Sequence, residues 1–346
     1  MFSISLILYL VKEIMKNVVT IGGGMGSFML LSGLKKYPIN LSAIVSMADD
    51  GGSTGVLRDE LGVLPPGDIR QCLVALSDSS EILRTLMNYR FEKGGLKGHN
   101  FGNLFLSALE KITGSFSKGI AEAEKILNVK GEVIPVTEND ANLYIELKNG
   151  KKLKGENEIN HNFEIEKIGI KKIYLNPKAK AKANKKALEK IRKADLIIIG
   201  PGNHYCSVLP NFLVSGIAEA IRKSKAKVVY NCNLVNKKGH TEKFTLDDYV
   251  NSMNKNIGSA RIDYVTFNIG EPDAKLVKKY ENKKELLIKW NKKNKKNKKY
   301  KKYKIIEADL LSQQKVKFDK ADKISKTRSY IRHDSEKLEK TLMKII

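Results

Sequence analysis

A short apolar run passes directly into four glycines near the start of the chain, in VVTIGGGMGSFMLLSGL over residues 18–34. The apolar run predicts a buried strand over residues 17–21, and the pattern after it predicts a helix from Ser27 to Lys36. A strand, a tight turn and a helix in this order are typical of folds built on a parallel sheet. The glycine-rich turn leaves two interpretations open, a plain bend or a phosphate-binding loop.

The same order of strand and helix continues along the chain. Helices are predicted over 68–128 and 178–193, with a closing helix at 335–346. Short alternating segments with a hairpin turn at Asn149-Gly150 predict a small antiparallel elaboration over 130–175. Further strands are predicted at 41–47, 195–200, 227–234, 262–270 and 303–310. We therefore expect an α/β fold with a doubly wound, mostly parallel sheet and a small antiparallel elaboration.

The chain is strongly basic, with 63 Lys and Arg residues against 38 Asp and Glu residues and a formal charge of +25. Such a charge raises nucleic acid as a partner. Much of the excess lies in the Lys- and Asn-rich segment 282–302, which we interpret as a surface insertion. Aromatic residues interleave with basic ones only in KKYKKYK, so base stacking has little support and nucleic acid is not the expected partner.

The N-terminal segment and the cysteines indicate the cellular compartment in which the protein is expected. The apolar run over residues 4–11 is far shorter than the ~20 residues that span a bilayer, so no membrane span is expected. We interpret residues 1–15 as an N-terminal extension, which leaves open whether Met15 is the true start. Three cysteines without C-x-x-C spacing fit a reducing cytoplasm.

The first candidate loop lies at the end of the first predicted strand. Glycines allow the backbone to approach a phosphate closely, and the following helix offers free N–H groups and the positive end of its dipole. The pattern differs from G-x-G-x-x-G because Ser27 stands at the last position. The candidate ligand-binding residues are Gly22, Gly23, Gly24, Met25, Gly26 and Ser27.

The second candidate loop, ADDGGSTGVLR, follows the strand predicted at 41–47. Its paired carboxylates suit either the hydroxyls of a ribose or the coordination of Mg²⁺, and the residues leave both open. A plain turn is a weaker explanation, because a turn needs fewer Asp and Gly residues than this loop contains. The candidates are Asp49, Asp50, Gly51, Ser53 and Arg58.

The third candidate loop, IIIGPGNHYCSVLPN, again leads from a fully apolar strand into a helix. Because the carboxyl ends of parallel strands share one edge of the sheet, we expect the three loops to form one site. Two glycine-rich turns at that edge favour a nucleotide as the ligand. The candidates are Gly200, Pro201, Gly202, Asn203 and Ser207.

The segment LGVLPPGDIRQCL carries further polar candidates. Asp68 and Gln71 form a predicted capping box, and helix capping accounts for Asp68. Arg70 has a planar guanidinium suited to phosphate, but it is equally explained as a surface charge. We retain Gly67, Asp68 and Arg70 as candidates.

The segment GHNFGNLFLSAL opens another helix. His99 and Asn103 lie on one face if that helix begins at His99. A single histidine near a helix end is more often a surface residue than a functional one. No second His or Cys stands near enough in the sequence to suggest a metal set, and both residues remain ligand-binding candidates.

Taken together and in order, these loops resemble the gluconeogenesis factor family, the YvcK group of the CofD-like superfamily. The resemblance runs from about Lys16 to the final helix. The stretches that carry it are GGGMGSFMLLSGLK, ADDGGSTGVLRDELGVLPPGDIRQCLVALS, GHNFGNLFLSALE, GPGNHYCSVLPNFLVSGI and YNCNLVNKKGHTEKFTLDDYV. The last of these adds Asn233 to the candidate ligand-binding residues.

The resemblance implies a three-layer α/β/α Rossmann-like domain over residues 16–346, a cytoplasmic location and a nucleotide ligand. Family members resemble binders of UDP-sugars, notably UDP-N-acetylglucosamine, or of dinucleotides. They are linked to gluconeogenic growth, cell shape and peptidoglycan synthesis, which implies cell-wall or regulatory protein partners. A homodimer remains an open alternative.

The wider superfamily includes 2-phospho-L-lactate transferase, which acts with Mg²⁺ on a guanylyl donor. That enzyme carries an Asp-rich stretch ending in Asp-Thr, where this chain has Pro66-Gly67-Asp68-Ile69-Arg70. The difference argues against transfer, and no catalytic pair is evident from spacing. We therefore expect a nucleotide-sugar-binding regulator without catalytic residues, with a phospholactate-type transferase as the alternative.

Overall fold

The structure is a computed structural model that describes residues 15–177, 181–290, 303–313 and 330–346. Its strands are β1 (Asn17–Gly22), β2 (Asn40–Val45), β3 (Glu132–Pro135), β4 (Asn142–Leu147), β5 (Lys152–Lys154), β6 (Ile170–Asn176), β7 (Leu196–Ile199), β8 (Lys227–Asn231), β9 (Tyr264–Asn268) and β10 (Lys304–Ala308).

The helices that precede β7 are α1 (Gly24–Leu34), α2 (Gly52–Leu61), α3 (Gly67–Leu76), α4 (Glu81–Asn88), α5 (Phe101–Thr113), α6 (Phe116–Ile126), α7 (Gly155–His161), α8 (Ile165–Ile168) and α9 (Lys185–Lys193). A π-helical turn (His204–Val208), α10 (Leu209–Leu213), α11 (Ile217–Lys223), α12 (Leu246–Ile257), α13 (Ala274–Asn282) and α14 (Ser335–Met343) follow.

Seven strands form the main sheet in the order β10-β9-β8-β7-β1-β2-β3, and every neighbouring pair is parallel. The central strand β7 is buried on both faces, which explains its uninterrupted apolar sequence. The chain runs from β1 outward through β2 and β3, and then crosses to the other side of β1 for β7 to β10. The direction of winding therefore changes between β1 and β7. This confirms the predicted doubly wound α/β fold.

A second sheet of three antiparallel strands has the order β5-β4-β6, and the predicted hairpin turn joins β4 to β5. One expectation was wrong here, because the strand in GEVIPV is not part of this elaboration. It is β3, which pairs parallel with β2 at the edge of the main sheet. Its short apolar sequence fits either sheet, and the long-range pairing decides between them.

The segment 282–302 is not a surface insertion throughout. Ile288 and Trp290 are buried, and the Trp290 ring lies 5.8 Å from that of Phe267. Backbone N–H groups of Asn236 and Leu246 also donate to carbonyls within 286–289. Ile288 and Trp290 therefore anchor the described part of the segment to the core, although Asn282, Lys283, Lys284, Leu286 and Lys289 are exposed. Residues 291–302 lie outside the described residues, as does most of the predicted extension.

No helix within the described ranges combines the length and apolar character needed to cross a bilayer.

Candidate functional site

Most of the first candidate loop is helical, because α1 begins at Gly24 rather than at the predicted Ser27. This glycine-rich start of α1 packs directly against the third loop at the point between β1 and β7. A Cβ atom placed on Gly26 would stand 1.9 Å from the carbonyl oxygen of Pro201, and one on Gly22 would stand 3.7 Å from Cα of Gly200. The contact at Gly26 therefore leaves no room for a larger residue, whereas the one between Gly22 and Gly200 is an ordinary van der Waals distance. The Gly26 contact lies where the winding reverses, which is where doubly wound sheets bind their ligands.

Asp68 reaches into the first loop from the start of α3. Its carboxylate accepts a hydrogen bond from the backbone N–H of Gly24, whose φ of +64° suits glycine. The capping prediction for Asp68 was wrong. Helix α3 begins at Gly67 with Pro66 at its N-cap position, and no side chain caps it. Asp68 instead accepts a hydrogen bond from the N–H of the first residue of α1.

The second loop holds Asp49 and Asp50 in different surroundings. Asp49 accepts hydrogen bonds from the backbone N–H of Gly51, at 3.0 Å, and from the Thr54 hydroxyl. Asp50 faces the antiparallel elaboration, where its Oδ1 accepts from the backbone N–H of Asn157 at 2.7 Å. The start of α7 is thus fixed on the second loop.

The carboxyl groups near these loops perturb one another. Burial and the neighbouring Asp49 raise the pKa of Asp68 to about 8. Burial also raises the pKa of Asp49, and it raises that of Glu156 together with the charges of Asp49, Asp68 and Asp50. Desolvation of the charged form is the main cause in all three. At neutral pH the Asp68 carboxyl therefore keeps a proton that an isolated carboxylic acid loses.

The third loop is organised by its own side chains. Asn203 caps the π-helical turn, because its Oδ1 accepts from the backbone N–H groups of Tyr205 at 3.3 Å and Cys206 at 3.4 Å. Asn233 donates from Nδ2 to the carbonyl oxygen of Gly202 at 2.8 Å. The sequence predicted that backbone N–H groups at the N-termini of α1 and of this turn bind phosphate. Three of these N–H groups already donate to protein side chains, namely those of Gly24, Tyr205 and Cys206.

Arg70 is buried rather than on the surface. Its Nε donates to Asn103 Oδ1 at 2.9 Å, and its Nη1 donates to Asn88 Oδ1 at 2.6 Å. A Cβ on Gly102 would stand 2.6 Å from Cδ of Arg70, so that glycine leaves space for the side chain. The guanidinium therefore joins α3 to α4 and α5.

Arg58 has protein partners as well. Its Nη1 donates to the carbonyl oxygen of Asp49 at 3.2 Å, and its Nη2 donates to Asp140 Oδ1 at 2.6 Å. The side chain thereby connects α2 to the chain just before the antiparallel sheet.

His99 and Asn103 do come together, although α5 begins at Phe101 rather than at His99. Both contact the hydroxyl of Ser53, His99 through Nδ1 at 3.3 Å and Asn103 through Nδ2 at 3.4 Å. Asn100, the N-cap of α5, accepts from the backbone N–H of Asn103. This network ties the second loop to α5. Of the remaining candidates, Met25 is partly exposed, and Ser27, Gly67 and Ser207 are buried.

Three residues near the site were missed by the sequence analysis, namely Glu156, Asn160 and Lys237. Asn160 donates to Glu156 Oε1 at 3.2 Å, and its Oδ1 accepts from Asn203 Nδ2 at 2.6 Å and from Lys237 Nζ. Burial lowers the pKa of Lys237, while the charge of Glu156 opposes that shift. No local pattern marks these residues, since they come from segments distant in sequence.

The arrangement offers many hydrogen-bond acceptors and one partly buried ammonium group, that of Lys237. In the described part of the chain, no three Asp, Glu, His or Cys side chains form a group that could hold a metal ion. The carboxyl groups can accept hydrogen bonds from hydroxyl groups or, when protonated, donate to a ligand.

The model of the family described as 2-phospho-L-lactate transferase CofD matches residues 18–311, which span all the site loops. The chain belongs to the CofD family. Within it, the chain is 46% identical over 273 residues to a gluconeogenesis factor of Halalkalibacterium halodurans, a match that covers 78% of this chain and 82% of that protein. It is 41% identical over 266 residues to the gluconeogenesis factor of Bacillus subtilis, covering 77% and 82%.

A solved structure of a UPF0052 family member from Bacillus halodurans has the same fold as this CofD-family chain. The TM-score is 0.84 at 38% sequence identity, and the match covers 95% of this chain and 99% of the other. These comparisons confirm the predicted resemblance to gluconeogenesis factors.

Proposed function

We propose that this protein is a regulator that binds a nucleotide sugar of the UDP-N-acetylglucosamine class at the carboxyl edge of the main sheet. The observation that carries the proposal is the direct packing of Gly26 against Pro201. This contact brings the glycine-rich start of α1 against the glycine-rich loop after β7, at the point where the winding reverses. A nucleotide is the usual ligand of such a crevice.

The polar groups of the site support a ligand rich in hydroxyls. Asp49, Asp50, Asp68 and Glu156 lie close enough for their charges to interact. Where these groups are ionised they repel a bare phosphate, whereas ribose and sugar hydroxyls donate hydrogen bonds to a carboxylate and accept them from a protonated carboxyl group. The ammonium group of Lys237 supplies the charge that a diphosphate requires.

The biological setting of the proposal comes from the names of the relatives for gluconeogenesis, and from the family resemblance given in the sequence analysis for cell shape and peptidoglycan synthesis. The two proteins compared above are called gluconeogenesis factors. We extend to this chain a cytoplasmic role in gluconeogenic growth, cell shape and peptidoglycan synthesis, exerted through cell-wall or regulatory protein partners. Its ligand would report the supply of a cell-wall precursor.

A phospholactate-type transferase is the alternative, and the description of the matching family model favours it. Transfer requires an acceptor group to reach the reacting phosphorus and a charge to offset the transition state. Arg70, which stands in the segment that differs from the transferase, is bound to Asn103 and Asn88. It therefore does not point its Nε and Nη1 at a ligand, and we prefer the binding role.

Calorimetry with UDP-N-acetylglucosamine, in Mg²⁺ and in a chelator, tests the proposal. We expect saturable binding in both buffers and recovery of intact ligand by mass spectrometry after long incubation. A parallel incubation supplies a guanylyl-phospholactate donor with a deazaflavin acceptor. Multiple turnovers there would favour the transferase, and the absence of UDP-sugar binding would contradict the proposed ligand.

A further inference from the structure

The outer face of the antiparallel sheet combines aromatic and basic side chains. The inner face is apolar, with Leu143, Ile145 and Leu153 fully buried. On the outer face the register places Lys154, Tyr144 and Tyr174 in one row across β5, β4 and β6. The next row consists of Lys152, Glu146 and Lys172. Same-face rows in a sheet lie about 7 Å apart.

The two tyrosines form a pair in the middle of this face. Their ring centroids lie 5.5 Å apart with an angle of 12° between the planes, and both side chains are partly exposed. The Nζ atom of Lys172 lies 5.1 Å from the centroid of the Tyr174 ring. Partly exposed tyrosines beside an ammonium group are the elements that stacking platforms for nucleic-acid bases use.

The charge on this face is positive. Lys152, Lys154, Lys171 and Lys172 are exposed, and Glu146 is the acidic residue in these two rows. Glu146 is already paired with Lys171, whose Nζ lies 2.7 Å from its Oε1. Three lysines therefore remain to complement phosphate groups around the tyrosine pair.

We propose that this face binds single-stranded RNA. The lysines contact backbone phosphates, and unpaired bases extend the stack that the Tyr144 and Tyr174 rings form with each other. A single strand suits the face better than a duplex, because the bases of a duplex are stacked on each other and are not available to tyrosine rings. The inference goes beyond the proposed nucleotide-sugar site and does not rest on it.

The test uses the full chain and a fluorescein-labelled twelve-nucleotide oligouridylate, with binding followed by anisotropy at several salt concentrations. We expect Y144L/Y174L to weaken binding at least about fivefold, and Y144F/Y174F to retain it because phenylalanine still stacks. The variant K152Q/K154Q/K172Q removes three phosphate partners. The plot of log affinity against log salt concentration has a negative slope, and its magnitude should be smaller by about 2 in this variant. Each phosphate contact on a single strand contributes roughly 0.7 to that magnitude.

A matched variant, K125Q/K193Q/K223Q, removes three exposed lysines from helices elsewhere, each paired with a glutamate on its own helix. It should bind as the parent does. The proposal is overturned if the parent does not bind, if the matched variant loses as much affinity as the face variant, or if duplex RNA competes better than a single strand. Circular dichroism checks that each variant is folded. If Y144L/Y174L unfolds, K152Q/K154Q/K172Q still tests the proposal, because the lysines that it replaces are exposed.

Discussion

Gly26 lies against Pro201 so closely that a Cβ atom would stand 1.9 Å from the proline carbonyl oxygen. We expect Gly26→Ala to separate the two loops, with a cost of about 1–3 kcal/mol for overpacking and a loss of nucleotide-sugar binding. Thermal unfolding and calorimetry measure the two effects. Gly95→Ala is the control, because a Cβ there meets open space. Unchanged ligand affinity in the Gly26 variant would remove this contact from the site.

Asp68 makes the stability of the protein depend on pH. Its pKa is about 8 in the folded chain and near 3.9 when unfolded, so the folded chain holds the extra proton between these values. The free energy of unfolding should therefore fall as pH rises from about 4 to about 8, and then level off. Asp68→Asn should remove this contribution, which makes the variant more stable than the parent at pH 8.5 and similar at pH 4.

Urea unfolding at pH 4, 6.5 and 8.5 measures this difference. Asp59→Asn serves as the control, since Asp59 is exposed on α2. The charge of Asp68 also raises the pKa of Glu156, and the substitution therefore lowers that pKa as well. Parallel pH profiles for the parent and Asp68→Asn would show that the carboxyl is not held protonated.

Arg70 is expected to contribute to stability rather than to ligand contact. Arg70→Met leaves the side-chain oxygens of Asn103 and Asn88 without their donor inside the protein. We expect a loss of about 3 kcal/mol in the free energy of unfolding, as for removal of a charged hydrogen-bond partner. Arg192→Met, at an exposed position on α9, should change it little. A stable Arg70 variant that fails to bind ligand would support the phosphate-binding interpretation instead.

Lys237 is expected to act on the ligand. Lys237→Met removes a partly buried ammonium group that faces Asn160, and we expect about a tenfold or greater loss of affinity for a UDP-sugar. Uridine, which lacks the diphosphate, should lose much less. Lys238→Met is the matched control, because this neighbour is exposed and lies over the ring of Phe163. Equal losses for uridine and the UDP-sugar would place Lys237 away from the diphosphate.

Local sequence determined most of the elements of this fold. Uninterrupted apolar runs such as that of β7 mark strands that are buried on both faces. The predicted bounds also differ by no more than about three residues from the observed ones for β1, β2, β8, β9 and β10. The order of these runs and the intervening helices predicted the doubly wound sheet. The glycine-rich turns were found in the same way, because glycine at a strand end is a local signal.

The tertiary structure decided which side chains meet. The local sequence predicts Asp68 as a helix cap. In the structure it accepts a hydrogen bond from the Gly24 N–H instead, because α3 packs beside α1. Glu156 and Lys237 join the site from segments that no spacing connects. The row of Lys154, Tyr144 and Tyr174 exists only through strand register. Periodicity along the chain encodes which residues are buried, whereas long-range pairing, which local patterns do not encode, sets their neighbours and hence their pKa values and partners.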